Sequence, residues 1–155
     1  MFKEMRRKDR QATPEEAINC LNTCSYGVLS TIREDGFPYG VPINYVFIDG
    51  KIYFHCALEN GHKLENIKYN SKVSFTVVSK DTVIPDKFST DYESAIAFGE
   101  AIRVFDNEKK LALEAFLDKF APNFKELGMA HINKFIDKTD IYKIEIETLT
   151  GKRRK

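Results

Sequence analysis

The chain lacks long apolar runs, has few cysteines and carries no standard nucleotide or hydrolase motif. No stretch approaches the roughly 18–20 apolar residues of a membrane-spanning helix, and the first ten residues lack the apolar segment of a secretion signal. The three cysteines are odd in number and lack the spacing of a disulfide scaffold. No G-x-G-x-x-G, P-loop or G-x-S-x-G pattern occurs. We therefore expect a cytoplasmic protein that does not bind membranes.

The 155 residues, 43% hydrophobic and 30% charged, predict one globular domain over 1–155. The net charge of +1 is unevenly distributed. We expect an N-terminal arm over 1–12 and a basic C-terminal tail over 150–155. Residues 1–10 carry five basic and two acidic side chains, and the tail carries four basic ones. Basic ends can bind nucleic acid, but the rest of the chain sums to −6 and would repel phosphates. Nucleic-acid binding by these basic ends is therefore disfavoured. We expect them to be solvated, or to pack on the rest of the chain or on a partner subunit.

Apolar periodicity predicts a mainly β chain with added helices. Thr13-Pro14-Glu15-Glu16 is a capping box that starts a helix, and Asp49-Gly50 is a two-residue hairpin turn. One strand face should carry Val41, Ile43, Tyr45 and Phe47. Strands are predicted at 26–32, 39–48, 51–56, 73–78, 95–105 and 142–147, helices at about 14–24, 62–69, 107–120 and 125–137, and a loop at 79–93. Six mostly hairpin-connected strands favour an antiparallel β-barrel with helices over its openings.

Residues 53–70 form the most informative segment. An apolar strand ends on His55, a turn through Asn60-Gly61 follows, and an amphipathic helix starts near His62-Lys63. Such a junction presents free N–H groups and the positive end of a helix dipole. With Lys63 in the first turn, it predicts a phosphate or other anion site.

Metal and nucleophile readings of this segment are weak. His55 and Cys56 are adjacent in a strand and should point to opposite sides, so neither a shared metal ion nor a His–Cys pair fits. Cys20 and Cys24 are four residues apart and could share a helix face. A structural role in packing is favoured for them over metal binding or redox chemistry. We expect no metal. His55 could also be a structural, hydrogen-bonded histidine.

Two further segments are compatible with a ligand but do not require one. Pro42 cannot donate to a ladder and predicts an edge or a bulge, beside which the Asn44 amide could read a planar ring. A protective edge strand explains Pro42 equally well. Gly99 inside a strand suggests a bulge or a close backbone approach, with Tyr92 and Ser94 at the strand entry.

These segments, taken in order, resemble one family. The motifs are Met5–Arg10, Gly27–Thr31, Asp35–Tyr39 with Pro42–Tyr45, the His55 to Lys63 junction, Tyr92–Ser94 with Phe98-Gly99, and Thr150–Lys152. Their order and spacing resemble the nitroimidazole-resistance (nitroimidazole reductase-like) branch of the pyridoxamine 5′-phosphate oxidase-related, FMN-binding split-barrel proteins. The resemblance implies a six-stranded antiparallel Greek-key split β-barrel with flanking helices. It also implies a homodimer with flavin at the subunit interface.

The resemblance also assigns residues to the cofactor. It implies FMN, with FAD as an alternative and haem a weaker one. His55 would be the catalytic residue, donating a proton or positioning substrate. The implied contacts are Pro42, Ile43, Asn44 and Tyr45 along the ring, His55, Cys56 and Ala57 beside it, Gly61, His62 and Lys63 at the phosphate, and Tyr92 and Ser94 from the other subunit.

The expected function is a flavin-dependent oxidoreductase that reduces a small, nitroaromatic-type substrate with electrons from NADH or NADPH. Pyridoxamine 5′-phosphate oxidation itself is disfavoured, since no substrate-phosphate residues can be placed. The alternatives are a non-catalytic flavin or haem binder acting as a sensor or store, and a small barrel that binds nucleic acid through its basic ends.

Overall fold

The computed structural model describes residues 2–58 and 61–154. In this part the chain forms seven strands and four α-helices, joined by short turns. In chain order the elements are α1 (Pro14–Thr23), β1 (Tyr26–Ile32), β2 (Pro38–Asn44), β3 (Val46–Ile48), β4 (Lys51–Ala57), α2 (His62–Tyr69), β5 (Lys72–Ile84), β6 (Ser89–Val104), α3 (Asp106–Phe120), α4 (Lys125–Phe135) and β7 (Thr139–Arg154).

The strands form one antiparallel sheet in the order β2-β1-β5-β6-β7-β4-β3. β2 and β3 lie at opposite ends of this order, yet only Tyr45 separates them in the chain. The sheet must therefore curl until its two edges meet at Tyr45. No ladder pairs β2 with β3 among the described residues, so the barrel stays split. The predicted strand count of six was wrong: the stretch 39–48 is two strands.

The interior of the curled sheet holds the main core. Val41, Ile43, Tyr45 and Phe47 all face it, which confirms their predicted common face. Helix α1 closes one opening with Ala17, Cys20 and Leu21. Its predicted capping box is present: Glu16 N–H donates to Thr13 Oγ1 at 3.3 Å, and Thr13 N–H donates to the Glu16 carboxylate at 2.9 Å.

A second core lies outside the sheet, under helix α3. Val46 and Tyr53 pack there against Ala112, and the Tyr53 hydroxyl donates to Glu108 at 2.8 Å. Lys119, further along α3, donates to the carbonyls of Cys24 at 2.7 Å and Tyr45 at 3.0 Å. These contacts hold α3 over the outer face of β3 and β4.

Several predicted boundaries were wrong. Residues 79–93 are not a loop but the outer half of the β5–β6 hairpin, which we call the arm. The stretch 150–154 is not a tail but the end of β7. Helix α3 starts at Asp106, directly after Phe105, and has no side-chain cap. The predicted bulge at Gly99 and the Asp49-Gly50 turn are confirmed.

No helix within the described residues is both long enough and apolar enough to cross a bilayer. The same part of the chain contains no group of three or more His, Cys, Asp or Glu side chains arranged to hold a metal ion.

Candidate functional site

Two strand ends place ligand-facing groups on the outer side of the sheet. On β2, Pro42 and Asn44 are exposed, while their neighbours turn inward. On β4, His55 and Ala57 are exposed and Cys56 is buried. Asn44 and His55 line the same cavity, although they belong to different strands. The structure thus brings together the two segments that the sequence marked separately.

His55 contacts protein mainly through an aromatic edge. Its ring lies perpendicular to Phe116 of α3, with 4.9 Å between the ring centroids. Desolvation, together with the positive charge of Lys63, lowers the pKa of His55 below its usual 6.5. The imidazole is therefore neutral at pH 7, with one nitrogen as donor and the other as acceptor. Within the described part of the chain its ring nitrogens make no hydrogen bond, which leaves both for a ligand.

The start of α2 supplies a positive site close to His55. Gly61 precedes the helix in an extended conformation, and the first helical N–H groups have no partner inside the helix. Lys63 is half-buried, and none of the described carboxylates forms an ion pair with it. Its charge acts on both His55 and Cys56. Asn60, the other half of the predicted turn, lies outside the described residues.

The contacts of His62 are with Tyr39 and Glu65 and not with Lys63 or His55. Its imidazole lies against Tyr39, with 6.1 Å between the ring centroids, and its Nδ1 is 3.8 Å from the Glu65 carboxylate. Tyr39 alternates with the outward-facing Pro42 and Asn44, so His62 meets β2 on the face of Val41 and Ile43 rather than on its outer face.

Three of the expected ligand contacts, Ile43, Tyr45 and Cys56, turn their side chains toward the interior. The Tyr45 ring is fully buried, and its hydroxyl donates to the Leu21 carbonyl at 2.6 Å. Cys56 is also buried, with its Sγ 3.8 Å from the Asp140 carbonyl oxygen, and burial raises its pKa to about 11. The predicted opposite orientation of His55 and Cys56 is confirmed. Only the backbone of these three residues can meet a ligand on the outer face.

An apolar cavity of about 460 Å³ lies beneath α3 and α4, next to His55. This volume is in the range of small-molecule sites. A second imidazole, His131 of α4, lines it together with Phe116, Phe120 and Phe135. None of the twelve described lining residues is Lys, Arg, Asp or Glu. Sequence analysis missed His131, although Gly128, His131, Ile132 and Phe135 have the spacing of one helix face.

Tyr92 and Ser94 lie at the other end of the sheet. Ser94 pairs with Lys152 of β7, whereas His55 pairs with Ile141 of the same strand. The eleven intervening steps along β7 correspond to about 35 Å for an extended strand. One chain therefore does not bring Tyr92 and Ser94 to the ligand-facing groups around His55.

Comparison with known proteins agrees with this architecture. The protein family described as pyridoxamine 5′-phosphate oxidase matches residues 13–153. A search of curated proteins finds no match. Among solved structures, a proposed 5-nitroimidazole antibiotic resistance protein from Bacteroides thetaiotaomicron has a TM-score of 0.72 at 20% identity, over 90% of this chain and 83% of that one.

Two further structures share the fold. A flavocytochrome from Azotobacter vinelandii has a TM-score of 0.82 at 18% identity, over 98% of this chain and 72% of that one. An FAD- and haem-binding protein from Mycobacterium smegmatis has a TM-score of 0.77 at 20% identity, over 94% and 74%. These identities establish a common fold and leave the ligand open. The match over residues 13–153 shows more: the chain belongs to the pyridoxamine 5′-phosphate oxidase-related family.

Proposed function

We propose that the protein is a flavin-dependent oxidoreductase that binds FMN on the outer face formed by β2, β4 and α2. The observation that carries the proposal is the juxtaposition at the end of β4. Lys63, which forms no ion pair with a described carboxylate, and a helix N-terminus lie beside His55, which opens onto an apolar, aromatic cavity. A ligand that joins a phosphate to a flat heterocycle matches this surface, since the phosphate suits Lys63 and the helix N-terminus and the ring suits the apolar side.

The donor set fits such a cofactor. The phosphate would lie against the N–H groups after Gly61 and the ammonium of Lys63. The ring would lie along the backbone of residues 42–45 and beside residues 55–57, where Pro42 leaves the edge open and the Asn44 side chain is held by its bond to the Ser25 carbonyl at 3.0 Å. FAD is the alternative, with its extra phosphate beyond this surface.

When bound, the flavin would supply hydride transfer, and the chain would supply position and protons. The neutral His55 would offer its ring N–H to a polar group of the substrate and hold it over the reacting surface. Phe116 fixes the plane of His55, and the apolar wall of α3 and α4 excludes water from the same space.

The cavity supports a small, uncharged, aromatic substrate of the nitroaromatic type. Its lining provides aromatic faces and two imidazoles but no cation for a phosphate. A phosphorylated pyridoxamine would therefore place its charge against apolar side chains, which is unfavourable. NADH or NADPH is the proposed electron donor.

We also propose that the protein works as a homodimer. His55 and Ser94 pair with residues eleven positions apart on β7, about 35 Å along an extended strand, so one chain does not bring Tyr92 and Ser94 to the site at His55. In a dimer, Tyr92 and Ser94 of each subunit would contact the flavin held by the other. The exposed arm, with Val83 and Phe88 at 66% and 97% exposure, offers apolar surface for this association.

The first experiment identifies the chromophore of the purified protein and then adds NADH or NADPH without oxygen. We expect a yellow protein that releases FMN and is bleached by one of the two donors. Lys63→Gln should weaken FMN binding by about 10–100-fold, since it removes a charge-assisted contact worth roughly 1.5–3 kcal/mol.

Lys68→Gln is the matched control, because Lys68 lies exposed on the same helix. Equal FMN affinity in both variants would refute the phosphate assignment. A bound flavin that neither donor reduces would refute the oxidoreductase proposal and leave a flavin-binding protein.

One observation favours a second candidate, haem binding. Two imidazoles, His55 and His131, line one apolar cavity, and histidine ligands in an apolar cavity suit haem. Titration with ferric haem would then give a sharp Soret band that His131→Leu abolishes. A broad band that is the same in both proteins would exclude this candidate.

A further inference from the structure

The two basic chain ends meet on one face of the molecule. Gln11 bridges to Lys152 of β7, and Ala12 N–H donates to the Gly151 carbonyl at 3.0 Å. The short 3-10 turn Lys8–Arg10 thus lies beside the last residues of β7. The sequence presents two separate basic segments; the fold combines them into one surface.

A pocket of about 390 Å³ opens on this surface, and its lining is entirely charged. It consists of four arginines and one aspartate: Arg7, Arg10, Arg153, Arg154 and Asp9. We call it the arginine pocket. Guanidinium groups present paired N–H donors that match the oxygens of a phosphate, and four of them around one opening are more than the local structure requires.

Carboxylates neutralise only part of this charge. Asp9 receives two bonds from Arg7, at 2.8 and 2.6 Å, and lies 4.0 Å from Arg10. Arg153 pairs with Glu16 at 2.9 Å. Arg154 is half-buried and forms no ion pair with a described carboxylate. Glu93, opposite Arg153 in the β6–β7 ladder, also has a partner. The pocket lining itself holds four guanidiniums and one carboxylate, so its charge is positive.

We propose that the arginine pocket binds the phosphate groups of a small nucleotide. With no apolar wall in its lining, the pocket offers recognition of phosphate rather than of the base. A compact concave site suits a mononucleotide or dinucleotide better than a nucleic-acid backbone, which needs an extended basic track and would meet the −6 of the remaining chain.

Within one chain this site is separate from the one at Lys63, and in the proposed dimer it would lie close to the flavin held by the other subunit. Arg154 pairs with Tyr92 across β6 and β7, so the pocket lies at the Tyr92 end of the sheet. It goes beyond the proposed function, because it adds a phosphate site that FMN at Lys63 does not use. The phosphate could belong to a nicotinamide nucleotide or to the adenylate of a larger cofactor, and both offer the same group to the arginines.

The test is calorimetric titration of the purified protein, at its measured flavin content and low ionic strength. The probes are ADP, adenosine 2′,5′-bisphosphate and orthophosphate. We expect binding of both nucleotides and a Kd at least tenfold higher in Arg154→Gln and in Arg10→Gln. Lys68→Gln is the charge-matched control and should leave Kd unchanged. Tighter binding of the 2′,5′-bisphosphate would assign a 2′-phosphate, and tighter binding of ADP a pyrophosphate.

Unchanged Kd in both arginine variants, or no binding of either nucleotide to the parent protein, would overturn the proposal. So would tight binding of a 20-base-pair duplex with no binding of the nucleotides. Thermal melting of each variant checks that it is folded. Lys63→Gln separates the two proposals, because it should lose flavin and keep nucleotide binding at the arginine pocket.

Discussion

Tyr45 links the two edges of the sheet to helix α1 through a single buried hydrogen bond. It is the one residue between β2 and β3, and its hydroxyl reaches the Leu21 carbonyl. Tyr45→Phe would leave that carbonyl without the hydroxyl donor. We expect the free energy of unfolding in urea to fall by about 1–2 kcal/mol.

Tyr26→Phe is the control for this change, since Tyr26 is 60% exposed and should lose almost nothing. Equal stability of the two variants would mean that the bond to Leu21 contributes nothing net.

The protonation of His55 gives a second prediction at this scale. Desolvation and Lys63 lower its pKa below 6.5, so the folded state favours the neutral ring. The resulting stability is complete above the unfolded pKa of about 6.5 and is lost as the pH falls through that value to the folded pKa. NMR titration of the imidazole should show the lowered pKa. Lys63→Gln should raise it, and Lys68→Gln should not. A pKa at or above 6.5 in the parent protein would contradict the arrangement.

Strands β6 and β7 approach so closely at Gly99 that no side chain fits there. A Cβ at this position would overlap the carbonyl oxygen of Glu145, at the bulge between Phe98 and Gly99. Because the obstacle is backbone, it cannot rotate away. We expect Gly99→Ala to lower the free energy of unfolding by about 3 kcal/mol.

The comparison for this prediction is Gly61→Ala, where no atom lies within 4 Å of the added methyl group. The free energy of unfolding of Gly61→Ala, measured in urea alongside Gly99→Ala, should stay within about 0.5 kcal/mol of that of the parent protein. If both glycines tolerate alanine equally, β6 and β7 are further apart than described here.

The elements that were predicted well are those with one buried face. The Thr13 capping box and the alternation from Val41 to Phe47 follow directly from local chemistry and burial. The arm was predicted as a loop because its side chains from Ser79 to Val83 are exposed on both faces. A strand without a buried face has no period-two pattern for sequence analysis to find.

At the scale of the whole molecule, the arm predicts how the chain associates. Phe88 at its tip is 97% exposed and has a φ of +47°, which is unfavourable for a phenylalanine. Contact with a second subunit would compensate for both costs. Sedimentation equilibrium should show a dimer of 17.9 kDa chains, and Phe88→Asn should raise its dissociation constant at least tenfold.

Phe124→Asn serves as the reference, since Phe124 is 63% exposed but lies away from the arm, before α4. A parent protein that sediments as a monomer at micromolar concentration would rule out the dimer. Flavin occupancy should fall with dissociation, because each site would lose Tyr92 and Ser94.

The sequence allowed the junction at Lys63 to be predicted, since strand end, glycine and helix start are contiguous there. That this junction binds an anion stays a prediction. The sequence could not reveal the cavity at His131, which requires α3 and α4 to pack over β4. It also could not show seven strands, because alternation continues unbroken through Tyr45 while the hydrogen-bonded partner changes from β1 to β4. Partner changes of this kind depend on how the sheet curls.

The pairing of Gln11 with Lys152 has a practical consequence for anyone who handles the protein. A peptide fused to either terminus starts within a few residues of the arginine pocket. An acidic epitope tag would compete for the guanidiniums and mask nucleotide binding, whichever end carries it. Titrations with tag-free material, or with a neutral tag on an internal turn such as Glu34-Asp35-Gly36, avoid this artefact.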